Sequence, residues 1–192
     1  MRKLSIAILA TLLMQGCQTA PNVYQMSERE IAYMHRYSRG EFDSVGKLTG
    51  LDIGEVHSQG SGSYSSKRFI RSLFSEDGSV LHQIYLTASY TGDWRFYGGA
   101  ALSGGEALKF TSLDRSVTGC PYRYLGCNHQ ESMVAEVTEE HLAASANSGL
   151  RVSFQTRYSN ISTTVDFPPA YISSYLKTVA SVRSQASYGR RD

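Results

Sequence analysis

The stretch from Arg68 to Tyr90 constrains the fold of this chain more than any other. Two apolar-rich runs, Arg68 to Phe74 and Val80 to Tyr90, flank the pair Asp77-Gly78. Asp-Gly between such runs is a strong turn signal, because Gly tolerates the positive φ that tight hairpin turns require. Successive strand side chains point to opposite sides, so His82, Ile84, Leu86, Ala88 and Tyr90 share one face. Gln83, Tyr85, Thr87 and Ser89 share the other. A long hairpin with one apolar face must bury that face against a second layer, which makes the rest of the chain answerable to a sheet.

The remaining segments are read against that sheet. Leu150, Val152, Phe154, Thr156 and Tyr158 alternate with Arg151, Ser153, Gln155 and Arg157, the pattern of a half-buried strand. Further strands are expected over 47–56, 94–98, 107–113, 132–137 and 161–167. The run Ser58 to Ser66 is rich in Gly and Ser and reads as a flexible loop. Ser27-Glu28-Arg29-Glu30 is a capping-box pattern that opens a helix over about 28–37. Thr138 and Gly149 suit the two ends of a second helix. Pro169 suits the first turn of a third, with Ile172, Tyr175, Leu176 and Val179 as its apolar stripe. Ser184 to Asp192 is polar and reads as a disordered tail. The expected fold is α+β: an antiparallel meander of six to eight strands forming a curved sheet or sandwich, with short helices near the N-terminal and C-terminal ends.

Composition agrees with a β-rich body. The 192 residues include 13 Tyr and 17 Gly, and only 19% are charged. Arg and Lys are scattered, so no nucleic-acid-binding surface is expected. No Gly-x-Ser-x-Gly elbow, phosphate-cradling loop or EF-hand loop occurs, so no catalytic residues, metal or cofactor are assigned.

The leader adds location. Arg2 and Lys3 precede a short apolar run, Leu4 to Met14, which is too short to span a bilayer. Gly16 stands immediately before Cys17, and Met14 occupies a slot near the cut where Leu is usual; Gln15 departs from the pattern. This segment resembles the signal peptide of bacterial lipoproteins. The resemblance covers residues 1–17 and implies removal of 1–16 and lipidation of Cys17. With Gln18 next, it implies, for a Gram-negative cell, transfer to the outer membrane, facing the periplasm. The alternative is an ordinary secretory cut after Ala20, which discards Cys17. Loss of the leader would remove Arg2 and Lys3 from the 19 basic residues and none of the 17 acidic ones, leaving no net charge. Residues 17–26 then read as lipidated cysteine and tether, 27–183 as a single domain and 184–192 as the tail.

In the oxidising compartment that the leader implies, Cys120 and Cys127 read as a local disulfide. It encloses Tyr122, Arg123 and Tyr124, a candidate interaction loop because Tyr combines apolar area with a polar handle. Cys120, Cys127, His129 and Glu131 are also ligand types for zinc, but a fourth ligand would have to come from a distant histidine such as His35, His57, His82 or His141. The expected function is a membrane-anchored envelope lipoprotein that binds an envelope protein partner or assists assembly, and is not an enzyme. The alternatives are an envelope-acting enzyme with a His/carboxylate site, which requires His129 or His82 beside an acid in a deep pocket, and a carrier of a small apolar ligand.

Overall fold

The computed structural model describes residues 22–40, 45–59, 62–122, 126–158 and 161–188. Eleven strands and three α-helices are found among them. The central hairpin is as expected and longer: β4 (Gly62–Phe74) and β5 (Val80–Gly92) pair from Tyr64 opposite Tyr90 to Phe74 opposite Val80. It sits in a seven-stranded antiparallel sheet of order β1 (Arg36–Ser38), β2 (Gly46–Thr49), β4, β5, β9 (Gly126–Val137), β8 (Phe110–Tyr122), with β3 (Val56–Gln59) also paired to β4. A second, four-stranded sheet has the order β11 (Ser162–Phe167), β10 (Leu150–Thr156), β6 (Tyr97–Leu102), β7 (Ala107–Leu108).

The α+β fold expected from the sequence, a curved sheet or sandwich of antiparallel strands, is therefore present as two antiparallel sheets, with more strands than anticipated. The strand expected over 47–56 is two strands, β2 and β3, separated by a non-strand segment. The expected loop 58–66 is mostly the β3–β4 hairpin, whose residues 60–61 lie outside the described ones. Ser and Gly make that segment look unstructured, but its backbone is satisfied by the ladder to β5. Likewise β8 runs on from Leu113 to Tyr122, because its Ser- and Thr-rich half pairs with β9.

All five inward positions of β5, from His82 to Tyr90, are buried. Helix α3 (Pro169–Tyr188) covers β2 and β4 through two fully buried tyrosines. The Tyr171 hydroxyl donates to the Leu51 carbonyl at 2.9 Å and accepts from the Ile70 N–H at 3.3 Å; Tyr175 shares a 2.7 Å bond with Ser72. Gly50 permits this approach, since a Cβ there would lie 2.2 Å from the Tyr171 oxygen. The second sheet covers the β8–β9 side, filling the interior with Tyr97, Phe154 and Phe167 against Met133 and Ala135.

Helix α1 (Glu28–Met34) carries both bonds of the Ser27–Glu30 capping box, but stops before Arg36–Ser38, which leave to pair with β2. Helix α2 (Glu139–Ala144) is capped by Thr138, and Gly149, at φ +82°, turns the chain out after it. Two expectations at the chain ends change. Helix α3 continues to Tyr188 where a disordered tail was expected from Ser184. Part of the expected tether, Val23–Gln25, is a short 3-10 turn with Val23 buried, and Met26 packs on the core; apolar side chains drive this end onto the body. No helix among the described residues is long and apolar enough to cross a membrane.

Candidate functional site

The end of the large sheet where β5 meets β9 gathers most of the unusual chemistry. Here Gly92 pairs with Cys127, Thr91 with Asn128, and Tyr90 with His129. Cys120 and Cys127 are joined, Sγ to Sγ 2.01 Å, which ties β8 to β9 beside the hairpin tip. Tyr122 ends β8 at that tip; Arg123 and Tyr124 lie outside the described residues, as does Cys17.

One strand turn inward stands Glu131, 1% exposed. Its two oxygens take four donors. Oε1 accepts the Tyr90 hydroxyl and the Phe96 N–H at 3.0 Å; Oε2 accepts the Tyr97 N–H at 3.2 Å and Arg115 Nε at 2.9 Å. Arg115 also donates to the Tyr97 carbonyl at 3.1 Å. A carboxylate spending its lone pairs on four donors is a structural hub and has no free oxygen to act as a general base. Burial, and then the bond to Glu131, push the Tyr90 hydroxyl well above the ordinary tyrosine range, so it stays protonated. Burial also raises Tyr97. Neither tyrosine hydroxyl therefore exchanges protons near neutrality.

What Glu131 holds is the loop between β5 and β6. Phe96 sits at φ +51°, the one non-glycine residue at positive φ among the described residues. A bulky aromatic in that region is strained and persists only where its surroundings over-determine it. Two bonds do so: its N–H to Glu131, and its carbonyl accepting the Arg157 N–H at 3.0 Å. The loop presents Trp94, whose ring lies 4.1 Å from that of buried His129, and Phe96, whose ring meets Tyr158 edge-on at 5.6 Å. Arg95 lies over the Tyr90 ring at 4.2 Å. Tyr158 is 79% exposed, and Val117 on β8 is exposed beside the same end.

Several sequence expectations change here. Tyr158, expected on the buried face of its strand, is exposed because β10 ends at Thr156 and the next N–H turns to Phe96. The strand expected over 94–98 starts only at Tyr97, which is the buried aromatic, while Phe96 before it is half-buried. Glu131, read from the sequence as a ligand type for zinc, is a buried anchor. The signal was available: Glu131 is in phase with Met133, Ala135 and Val137, all buried.

The histidines are dispersed. His82 and His129 lie at opposite ends of the β5–β9 ladder, about 25 Å apart at about 3.3 Å per residue. His82 does meet a serine and a carboxylate: Nδ1 is 2.7 Å from Ser72 Oγ and Nε2 is 3.8 Å from a Glu139 oxygen. Ser72 is 0% exposed and its hydroxyl is also held by Tyr175, so no substrate carbonyl reaches it. Burial lowers the His82 pKa. Among the described residues no three His, Cys, Asp or Glu side chains are grouped to hold a metal ion. The two cysteines are spent on each other.

No family model matches this chain, and no curated protein or solved structure matches it.

Proposed function

We propose that this protein is a membrane-anchored envelope lipoprotein whose folded body is a protein-binding or assembly-accessory domain facing the periplasm. The observation that carries the binding half is the strained loop that displays Trp94 and Phe96 beside exposed Tyr158, fixed from below by Glu131. Strain kept in place by a saturated buried carboxylate favours a site whose shape matters. Rigid aromatics bring contact area with little entropy to lose on binding, which makes them good anchors for a protein surface.

Placement supports the same reading. The N-terminal segment docks where the Tyr24 hydroxyl meets the Asp166 carbonyl, and Asp166 pairs with Arg151 at the start of β10. The aromatic loop lies at the other end of β10, where Thr156 pairs with Tyr97. The two are separated by roughly 15–20 Å at about 3.3 Å per residue. An anchor at Cys17 would therefore hold the body from one end and leave the aromatic end directed away from the membrane.

The test is a photo-crosslinking side chain placed at Tyr158 in the full chain, expressed in its native envelope. A discrete crosslinked partner is expected, and Trp94→Ala should reduce its yield at least tenfold while the protein keeps its urea midpoint. Tyr122→Ala with Tyr124→Ala tests the hairpin tip in the same assay. Unchanged yield in the Trp94 variant would remove the loop from the interface.

A further inference from the structure

The other face of the seven-stranded sheet carries charge that is left unbalanced. Arg68, Lys109, Arg115, Arg151 and Arg183 each stand within salt-bridge distance of a carboxylate. Lys47, Lys67 and Arg71 form no ion pair with any described residue. All three alternate with buried residues, Leu48 after Lys47, and Arg68, Ile70 and Ser72 along β4, so they lie on the face turned away from the core.

Arg71 is mounted on aromatic rings. Its guanidinium carbon lies 4.1 Å from the centre of the Tyr85 ring and 5.4 Å from that of Phe69. Those rings are cross-strand partners, stacked 5.0 Å apart and 8° from parallel. Ring contact uses the flat face of a guanidinium, while recognition of a carboxylate or phosphate uses its N–H edge. An arginine held on rings with no carboxylate beside it is suited to an external anion.

Further along the same face the chemistry becomes hydroxyl and amide. Lys67, Thr87, Ser89 and Gln130 line a cleft of about 350 Å³, with Asp52 and Gly54 also in its lining. Thr87 is bonded to Ser132 at 3.0 Å, and Thr91 to the Asn128 side-chain oxygen at 2.8 Å. On the strands themselves, the acids of this face stand towards the β8–β9 side: Asp114, and Glu136, which is paired with Lys109. Beside β4, Asp52 reaches the cleft with Oδ1 accepting the Gly54 and Arg68 N–H groups, and strands β2 and β4 carry the cations Lys47, Lys67 and Arg71.

Lys67 and Arg71 are four residues apart on one strand, about 13 Å at about 3.3 Å per residue. One small anion cannot reach both, and an extended chain can. Aromatic edges and a hydroxyl-lined cleft between spaced cations suit sugar rings that carry acidic groups. We propose that this face binds an anionic polysaccharide lying along β4 and β5, with acidic groups on Arg71 and Lys67 and sugar hydroxyls in the Thr87–Gln130 cleft. It is separate from the Trp94 loop and does not depend on the reading given to that loop.

The experiment is affinity electrophoresis of the full chain in neutral detergent, through gels containing polygalacturonate or neutral dextran. Retardation by polygalacturonate and not by dextran is expected. Arg71→Gln should weaken it about tenfold, as expected for losing a charge-assisted contact. Lys67→Gln should weaken it less, and Arg29→Gln, an exposed cation on α1, should leave it unchanged. Urea midpoints of the variants separate lost binding from lost folding. The proposal fails if the wild type is not retarded, or if Arg29→Gln weakens binding as much as Arg71→Gln. It fails equally if polyglutamate competes as well as polygalacturonate, which would mean the face reads charge alone in an acidic protein. Preferential capture by phosphatidylglycerol vesicles would assign the face to a lipid surface instead.

Discussion

Glu131 links three strands by one side chain: Tyr90 on β5, the start of β6 at Phe96 and Tyr97, and Arg115 on β8. Glu131→Gln keeps the shape and removes the charge. One oxygen becomes an NH2 group, which would face donors where an acceptor is needed, and Arg115 loses its counter-charge. Breaking one member of a buried ion pair typically costs 3–5 kcal/mol. Arg115 is partly exposed and can recover some hydration, so a loss of about 3 kcal/mol is expected in urea unfolding. Trp94, the single tryptophan, reports the same event locally. Its fluorescence should shift to longer wavelength in the native variant as the loop loosens. A variant with the wild-type midpoint and spectrum would mean the loop is held without the carboxylate.

At the scale of elements, the docking of α3 contains a pH-dependent part. His35, just after α1, packs edge-on against Tyr171 and Tyr175 with ring centres 5.7 Å and 5.4 Å away. Its Nδ1 accepts the Leu51 N–H at 3.3 Å and its Nε2 lies 3.1 Å from Ser174 Oγ, so the ring is used as the neutral imidazole. Burial lowers its pKa to about 4, against an ordinary value of 6.5. The folded state therefore binds fewer protons than the unfolded state between those values. The contribution is full above pH 6.5 and is lost as pH falls through about 4. It amounts to at most about 2 kcal/mol once the partly exposed ring edge is allowed for. Urea midpoints at pH 7 and pH 4.5 should fall further in the wild type than in His35→Gln; equal falls would mean the ring does not drive the loss.

These elements also mark how far the sequence could be read. The capping box at Ser27, Pro169 at the head of α3, and the alternation of β5 and β10 were visible because each is local chemistry repeated at a fixed period. Residues 62–66 and 113–122 were not, because Ser, Thr and Gly there become strand only through register with β5 and β9. The burial of Tyr97 was hidden for a related reason: the irregular pairing of β6 near Thr156 turns it inward, and no periodicity announces a bulge.

For the whole molecule, the anchor and the disulfide make one joint argument about compartment. Only residues 18–21 separate Cys17 from Asn22, where the described body begins. Even fully extended, that link spans about 17 Å at about 3.4 Å per residue. A lipid on Cys17 would keep the folded body against the bilayer, with the docked Val23–Met26 segment as its near end. The Cys120–Cys127 bond suits the setting proposed above, because such bonds persist in oxidising compartments. Closing so short a loop contributes about 2–3 kcal/mol. Intact-mass measurement of the protein from its native membrane should show cleavage before Cys17, the added mass of acyl chains, and a two-hydrogen deficit restored by reductant. Cys120→Ser with Cys127→Ser should lower the unfolding free energy by about 2–3 kcal/mol, and the wild type under reductant should match that variant. A soluble product beginning at Pro21 would move the body off the membrane while leaving the disulfide in place. An unlipidated product with two free thiols would remove the oxidising compartment altogether, and would make the Cys120–Cys127 pair beside His129 a reactive centre instead of a brace.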